Sequence, residues 1–232
     1  MLIIKISLLL SSIIFLGNIA FAQPNSNSKL GLNSNLYNGK YYSYFLPSSV
    51  NGHQFLESKE YSIATVWKNG EGFEDLLLNY DVVNQEVILK FKTSLGAEKV
   101  IAMSMAELDS FLLSDKLFIS KSDIEDAQLI YQKIEYGGYN FYIYFHKELK
   151  LQSQINNVSY QVSKVNRTIY FAKKSSINRI NKNRSFLKFV DKESQNAIKK
   201  YMKSKKYKIQ KMDDTQYLDL LKFMQKEIDE KY

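Results

Sequence analysis

The stretch Gln128–His146 constrains the fold more than any other part of the chain. Two runs rich in β-branched and aromatic residues flank Gly137-Gly138. A Gly-Gly pair in that setting predicts a hairpin with a two-residue primed turn, because both central residues of the turn need positive φ. The register follows from the turn. Tyr136 faces Tyr139, Ile134 faces Phe141, Gln132 faces Ile143 and Ile130 faces Phe145. These pairs share one nearly apolar face, which is expected in the core. The other face carries Leu129, Tyr131, Lys133, Glu135, Asn140, Tyr142, Tyr144 and His146. Its fate depends on the rest of the chain. If the C-terminal helices cover it, its tyrosines are structural. If they pack elsewhere, Tyr131, Lys133, Tyr142, Tyr144 and His146 form a candidate partner-binding aromatic face.

The chain before the hairpin alternates at the period of a strand. Tyr61–Trp67, Phe73–Tyr80, Gln85–Lys92 and Glu98–Met103 are strand candidates separated by short turns, one with the Asn69-Gly70 signature. Ser104 and Glu107 have capping-box spacing, so Met105–Leu112 fits a short helix, and a strand over Leu108–Leu113 fits nearly as well. Lys116–Ser120 is a further short strand. Lys147–Ser163 reads as a strand end with a turn around Asn156-Asn157, and Thr168–Ala172 as the last strand of the sheet.

The period then changes. Ser185–Lys203 places apolar residues at helical spacing, as one bent helix or two short ones around Asp191. Asp213 stands three residues before Gln216, and Tyr217, Leu220, Leu221, Met224 and Ile228 form one apolar stripe, which predicts a capped amphipathic helix. The expected fold class is α+β, an antiparallel β-sheet or open barrel with C-terminal amphipathic helices. The expected divisions are a signal peptide over 1–22, a flexible Asn/Ser-rich leader and loop over 23–58, an antiparallel β domain over 59–175, and a basic helical region over 176–232 packing on the sheet.

Met1–Ala22 has the pattern of a secretory signal peptide: Lys5, an apolar stretch to Leu16, and Ala20-Phe21-Ala22 before Gln23. The apolar run is short for a membrane span. The chain has no cysteine, which excludes disulfides, thiolate metal sites, Cys nucleophiles and a lipidated N-terminal Cys. The expected location is periplasmic, outer-membrane-associated or extracellular.

Charge is unevenly distributed. The formal net charge is +8. Residues 23–163 carry 12 lysines against 16 acids, whereas residues 164–211 carry 16 basic residues against only Asp191 and Glu193. That window is either a solvated helix face or a surface for an acidic lipid or polysaccharide, with Lys199, Lys200, Lys203, Lys205 and Lys206 as candidate anion-binding residues. Only Arg167, Arg179 and Arg184 are arginines. Their scarcity, with export, counts against nucleic acid, because bidentate reading favours the Arg fork.

No catalytic motif stands out. His53 and His146 are the only imidazoles and lie far apart in sequence. HExxH, GxSxG, P-loop and dinucleotide fingerprints are all missing, and the sequence implies no cofactor and no metal site. Glu74 and Asp75, as strand neighbours, should point to opposite faces. Asp123, Glu125 and Asp126 precede the hairpin, and Glu125 is placed to oppose Glu148 if a carboxylate pair exists.

The stretch Ile63–Gly70, followed by Leu76–Val87 with its Tyr80-Asp81 strand end, resembles a group of exported β-rich proteins of Bacteroidota. Their basic C-terminal helices and final amphipathic helix are similar to Phe186–Ile228 here. The resemblance implies no activity and no site residues. Three functional expectations remain: a non-catalytic cell-envelope protein binding a protein or glycan partner, an anion-binding module using residues 164–211, and a carboxylate-dependent hydrolase.

Overall fold

A computed structural model describes residues 33–229 apart from positions 34, 48, 126, 155 and 156. The signal-peptide pattern therefore lies outside the described residues, as do Asp126 and Asn156. Thirteen strands form along the described chain: β1 Gly39–Tyr41, β2 Ser62–Lys68, β3 Glu71–Asp81, β4 Glu86–Lys92, β5 Glu98–Met103, β6 Leu108–Leu113, β7 Lys116–Lys121, β8 Leu129–Tyr136, β9 Tyr139–His146, β10 Leu149–Gln154, β11 Asn157–Val162, β12 Asn166–Lys173 and β13 Ser176–Ile180. Three helices follow: α1 Asn183–Leu187, α2 Gln195–Ser204 and α3 Asp214–Asp229. The class is α+β. Eleven strands make one antiparallel sheet in the order β1-β5-β4-β3-β2-β6-β7-β8-β9-β12-β13, and β10-β11 form a separate ribbon.

The order forces the first half of the sheet to curl. β5 and β6 are joined by residues 104–107, yet β4, β3 and β2 lie between them. Four lateral spacings of about 4.8 Å need about 19 Å, which equals the full stretch of five Cα steps. The connection is not stretched, since Glu107 N–H donates to Ser104 O and Leu108 N–H to Met105 O. The strands must therefore roll toward each other, although the sheet does not close into a barrel. A bulge helps. Thr65 on β2 faces both Glu74 and Asp75 on β3, because Ala64 pairs with Leu76 and Val66 with Phe73. Asp75 takes φ +56° there, and both acids are exposed. The expectation that they point to opposite faces is corrected by this extra residue.

The central hairpin forms with the expected register, from Gln132 opposite Ile143 to Tyr136 opposite Tyr139, and Gly137 and Gly138 take φ +59° and +80°. Its Ile130, Ile134, Phe141 and Phe145 face belongs to the main core, which also takes Ile169, Phe171 and Ile180 from β12 and β13. α3 packs directly on this face, α1 reaches it through Phe186 against Phe141 and Phe171, and α2 packs on α1 and α3. Phe186, Ile198, Met202, Tyr217, Leu220, Leu221 and Met224 are buried in the same cluster. The capping box at α3 is present: Asp213 Oδ1 accepts the Gln216 N–H at 2.9 Å and Gln216 Oε1 accepts the Asp213 N–H at 3.2 Å. Gln132, buried on β8, donates to Asp214 at 2.8 Å and fixes the start of α3 to the hairpin.

Several boundaries shift. The short helix over Met105–Leu112 is replaced by a turn and β6, since Leu108, Phe111 and Leu113 bury on one side of a strand bulged at Asp109. Lys147–Ser163 holds a full two-stranded ribbon rather than a strand end. The sheet continues past the expected boundary at 175 into β13. Within the expected leader, the described residues from 35 to 58 are built into the fold. Leu36, Leu46 and Phe55 are buried, and β1 pairs with β5. Two lysines tie this segment down. Lys68 Nζ donates to the Asn35 carbonyl and pairs with Glu107 at 2.7 Å, and Lys147 Nζ donates to the carbonyls of His53 (3.0 Å) and Phe55. Among the described residues, no helix is long and apolar enough to cross a membrane.

Candidate functional site

The aromatic face of the hairpin is not covered by helices, yet it is largely closed. Tyr131 is 0% exposed and Tyr142 7%. They pack with Tyr170 and Ala172 of β12, and Ile124 lies against the cluster from the segment before β8. Tyr131 meets Tyr170 edge-on at 5.9 Å, and the Tyr170 hydroxyl donates to Glu125. What remains accessible is Tyr144, stacked on His146 at 5.5 Å, and Lys133, which pairs with Glu135 at 2.5 Å. The five residues expected to act as one platform are therefore split between a buried cluster and a modest half-buried strip.

The acids around the hairpin do not converge. Asp123 pairs with Lys121, Glu148 with Lys150, and Glu125 is held by Tyr170. Glu74, Asp75 and Asp115 line a shallow dent of about 210 Å³. His53 sits by Lys147, and burial, then the charges of Lys147 and Lys59, lower its pKa below the usual histidine value.

The distinctive concavity lies among the C-terminal helices. A groove of about 1350 Å³ runs between α1 and α2. Arg184 of α1 and Lys188, the residue that caps its C-terminus one turn on, line one side. Lys199 and Lys203, one turn apart on α2, line the other, with Lys206 and Lys208 just beyond the helix. Residues at i and i+4 share a helix face, so two short helices present two rows of cations to one trough. The floor is apolar, formed by Leu187, Met202 and Tyr207. Among the described residues no carboxylate lines the groove, and none of its six cations makes an ion pair. Of the five lysines singled out from the sequence, Lys199, Lys203 and Lys206 line it. Lys200 does not, and Lys205 turns instead over the Tyr201 ring at 5.6 Å. Arg184, Lys188 and Lys208, which complete the lining, belong to the same basic window but not to those five.

The walls are fixed by hydrogen bonds. Asn183, at the start of α1, donates to Tyr207 O at 2.7 Å and accepts from Ile209 N–H at 2.9 Å. Asp219 on α3 accepts from the hydroxyls of Tyr201 (2.7 Å) and Tyr207 (2.8 Å). Burial and then the Asp219 contact push the Tyr207 phenol up to about 12. Burial acts to raise the Asp219 carboxyl, but the two phenol donors and the charges of Lys205 and Lys222 outweigh it and hold its pKa below the usual value. α2 ends in a Schellman-type turn, with Tyr207 N–H donating to Met202 O at 2.8 Å and Lys206 at φ +57°. That position normally holds glycine, since the left-handed conformation costs other residues about 1–2 kcal/mol. Here it holds a groove lysine.

No protein-family model, no curated protein and no solved structure matches the chain.

Proposed function

We propose that the protein is an exported, non-catalytic protein of the cell envelope that holds an anionic partner in the groove between α1 and α2. The observation that carries this reading is six cations from three segments gathered around one concavity with no carboxylate partner. Like charges so arranged repel one another, and an anion in the groove relieves that repulsion. The signal-peptide pattern at Met1–Ala22 supports export. The apolar floor beneath the charges lowers the local dielectric and strengthens the attraction relative to an open surface.

The test is calorimetric binding of dextran sulfate to the purified protein over a range of salt. Affinity should fall steeply as salt rises. The triple variant K199Q/K203Q/K206Q should bind at least about tenfold more weakly, about 1.4 kcal/mol or more. The double variant K200Q/K205Q, whose side chains lie outside the groove, serves as the control of equal charge per site. If the double variant loses as much affinity as the triple, attraction is diffuse and the groove is not the site.

A further inference from the structure

The groove does not end at its own rim. A second concavity of about 360 Å³ shares Asn183, Arg184 and Lys208 with it and adds Lys182, Lys211 and Gln210. The two hollows meet across Arg184 and Lys208, so the basic surface is a track rather than a single basket. Lys182 and Lys211, like the six groove cations, make no ion pair among the described residues. Eight cations along one bent path exceed what any single phosphate or carboxylate can neutralise.

We infer that the occupant is a linear acidic polysaccharide, carrying an anionic group on successive sugars and running from the α1–α2 groove across Arg184 and Lys208 into the second concavity. This rests on the anion-binding reading above and names its ligand class. Three features favour such a chain over other polyanions. The exposed cations flank two adjoining concavities that follow one path, a shape that fits an extended chain rather than a flat bilayer. The track offers a single aromatic side chain, Tyr207, whose hydroxyl is already held by Asp219, whereas single-stranded nucleic acid calls for a row of stacking platforms. Seven of the eight cations are lysines, point charges that tolerate the varied spacing of sugar carboxylates rather than the planar forks that read phosphates and bases. Between the charges, Asn196 adds an amide at the groove wall, the kind of group that meets sugar hydroxyls, while the Gln195 amide N–H is held by Val190 O.

The experiment uses the purified protein and oligogalacturonates of defined length, from the monomer to about ten units, with affinity measured by calorimetry at fixed salt. Affinity should climb by at least about tenfold between the dimer and the longest oligomer, and the salt dependence should steepen with length as more counterions are released. The variant K182Q/K211Q should bring the longest oligomer down toward the affinity of the dimer. Equal affinity at all lengths, or a K182Q/K211Q variant that binds the longest oligomer as the parent does, overturns the polymer. The anion-binding reading then stands or falls separately on K199Q/K203Q/K206Q. Tighter binding to phosphatidylglycerol vesicles assigns the track to a membrane surface, tighter binding to an oligothymidylate of equal charge assigns it to nucleic acid, and either outcome overturns the polysaccharide.

Discussion

Lysines between positions 40 and 150 and lysines of the basic window 164–211 have opposite surroundings. Between positions 40 and 150, seven of the eleven lysines pair with a carboxylate: Lys40, Lys68, Lys90, Lys116, Lys121, Lys133 and Lys150. Lys147 is committed to two backbone carbonyls. Between 164 and 211, only Lys173 is paired, with Asp191, among the described residues. The same residue type is thus a fastener in one region and an unspent charge in the other. Acid supply explains part of this, since the basic window holds two acids. Geometry explains the rest: the exposed cations of α1, α2 and the turn after α2 line one shared trough that no carboxylate enters among the described residues. The proposed anionic partner is what such a surface would accept.

The contrast can be broken or sharpened by substitution. The largest effect is expected at Lys68, whose side chain is fully buried. Lys68→Met leaves Glu107 and the Asn35 carbonyl without their partner and should cost about 3 kcal/mol in urea unfolding. A silent Lys68→Met would erase the distinction between fastening and free lysines. Gly137→Ala comes next. The turn holds φ +59°, and an added Cβ would sit 2.2 Å from Gln225 Oε1 on α3, so a loss of about 1–2 kcal/mol is expected. A smaller loss in a Gln225→Ala background than in the parent would show the helical region bearing on the tip of the hairpin.

Asp219→Asn should cost about 1 kcal/mol, through weakened bonds from Tyr201 and Tyr207. The sign with pH follows from the lowered Asp219 pKa. The ionised carboxylate stabilises the fold at neutral pH, and that contribution fades as pH falls from the ordinary aspartate range through the folded value. Urea midpoints measured downward from pH 7 should converge for parent and variant at the acid end. The smallest effect on stability is expected at Lys206→Gly. Relief of the left-handed conformation should raise stability by about 0.5 kcal/mol, while affinity for dextran sulfate falls. Stability and binding moving in opposite directions would mark Lys206 as a residue kept for the groove. A loss of both would make it an ordinary cap.

The hairpin was legible because its signals are local: a Gly-Gly turn, alternation on both sides, and a register that follows from the two. The cap of α3 was legible for the same reason, as Asp213 and Gln216 are three residues apart. The β6 segment was ambiguous because Ser104 and Glu107 carry a helix-start spacing that the burial of Phe111 and Leu113 overrides. The order of residues 35–58 was hidden, since what holds them is Lys68 and Lys147, distant in sequence and indistinguishable there from surface lysines. The site was half legible. A basic window could be counted, but not which of its lysines face each other.

By itself, the sequence determined the strand-rich body, the hairpin register, the amphipathic last helix and the confinement of positive charge to residues 164–211. These depend on periodicities of two and 3.6 and on composition, which are properties of neighbours along the chain. The tertiary structure alone decided that the helices cover the face of the hairpin with Ile130, Ile134 and Phe141 and leave the tyrosine face to Ile124 and Tyr170. It also decided that Arg184 and Lys188 come to stand across from Lys199 and Lys203. Both outcomes turn on how α1, α2 and α3 dock against the core, and docking is set by the fit of buried side chains that are far apart in the chain.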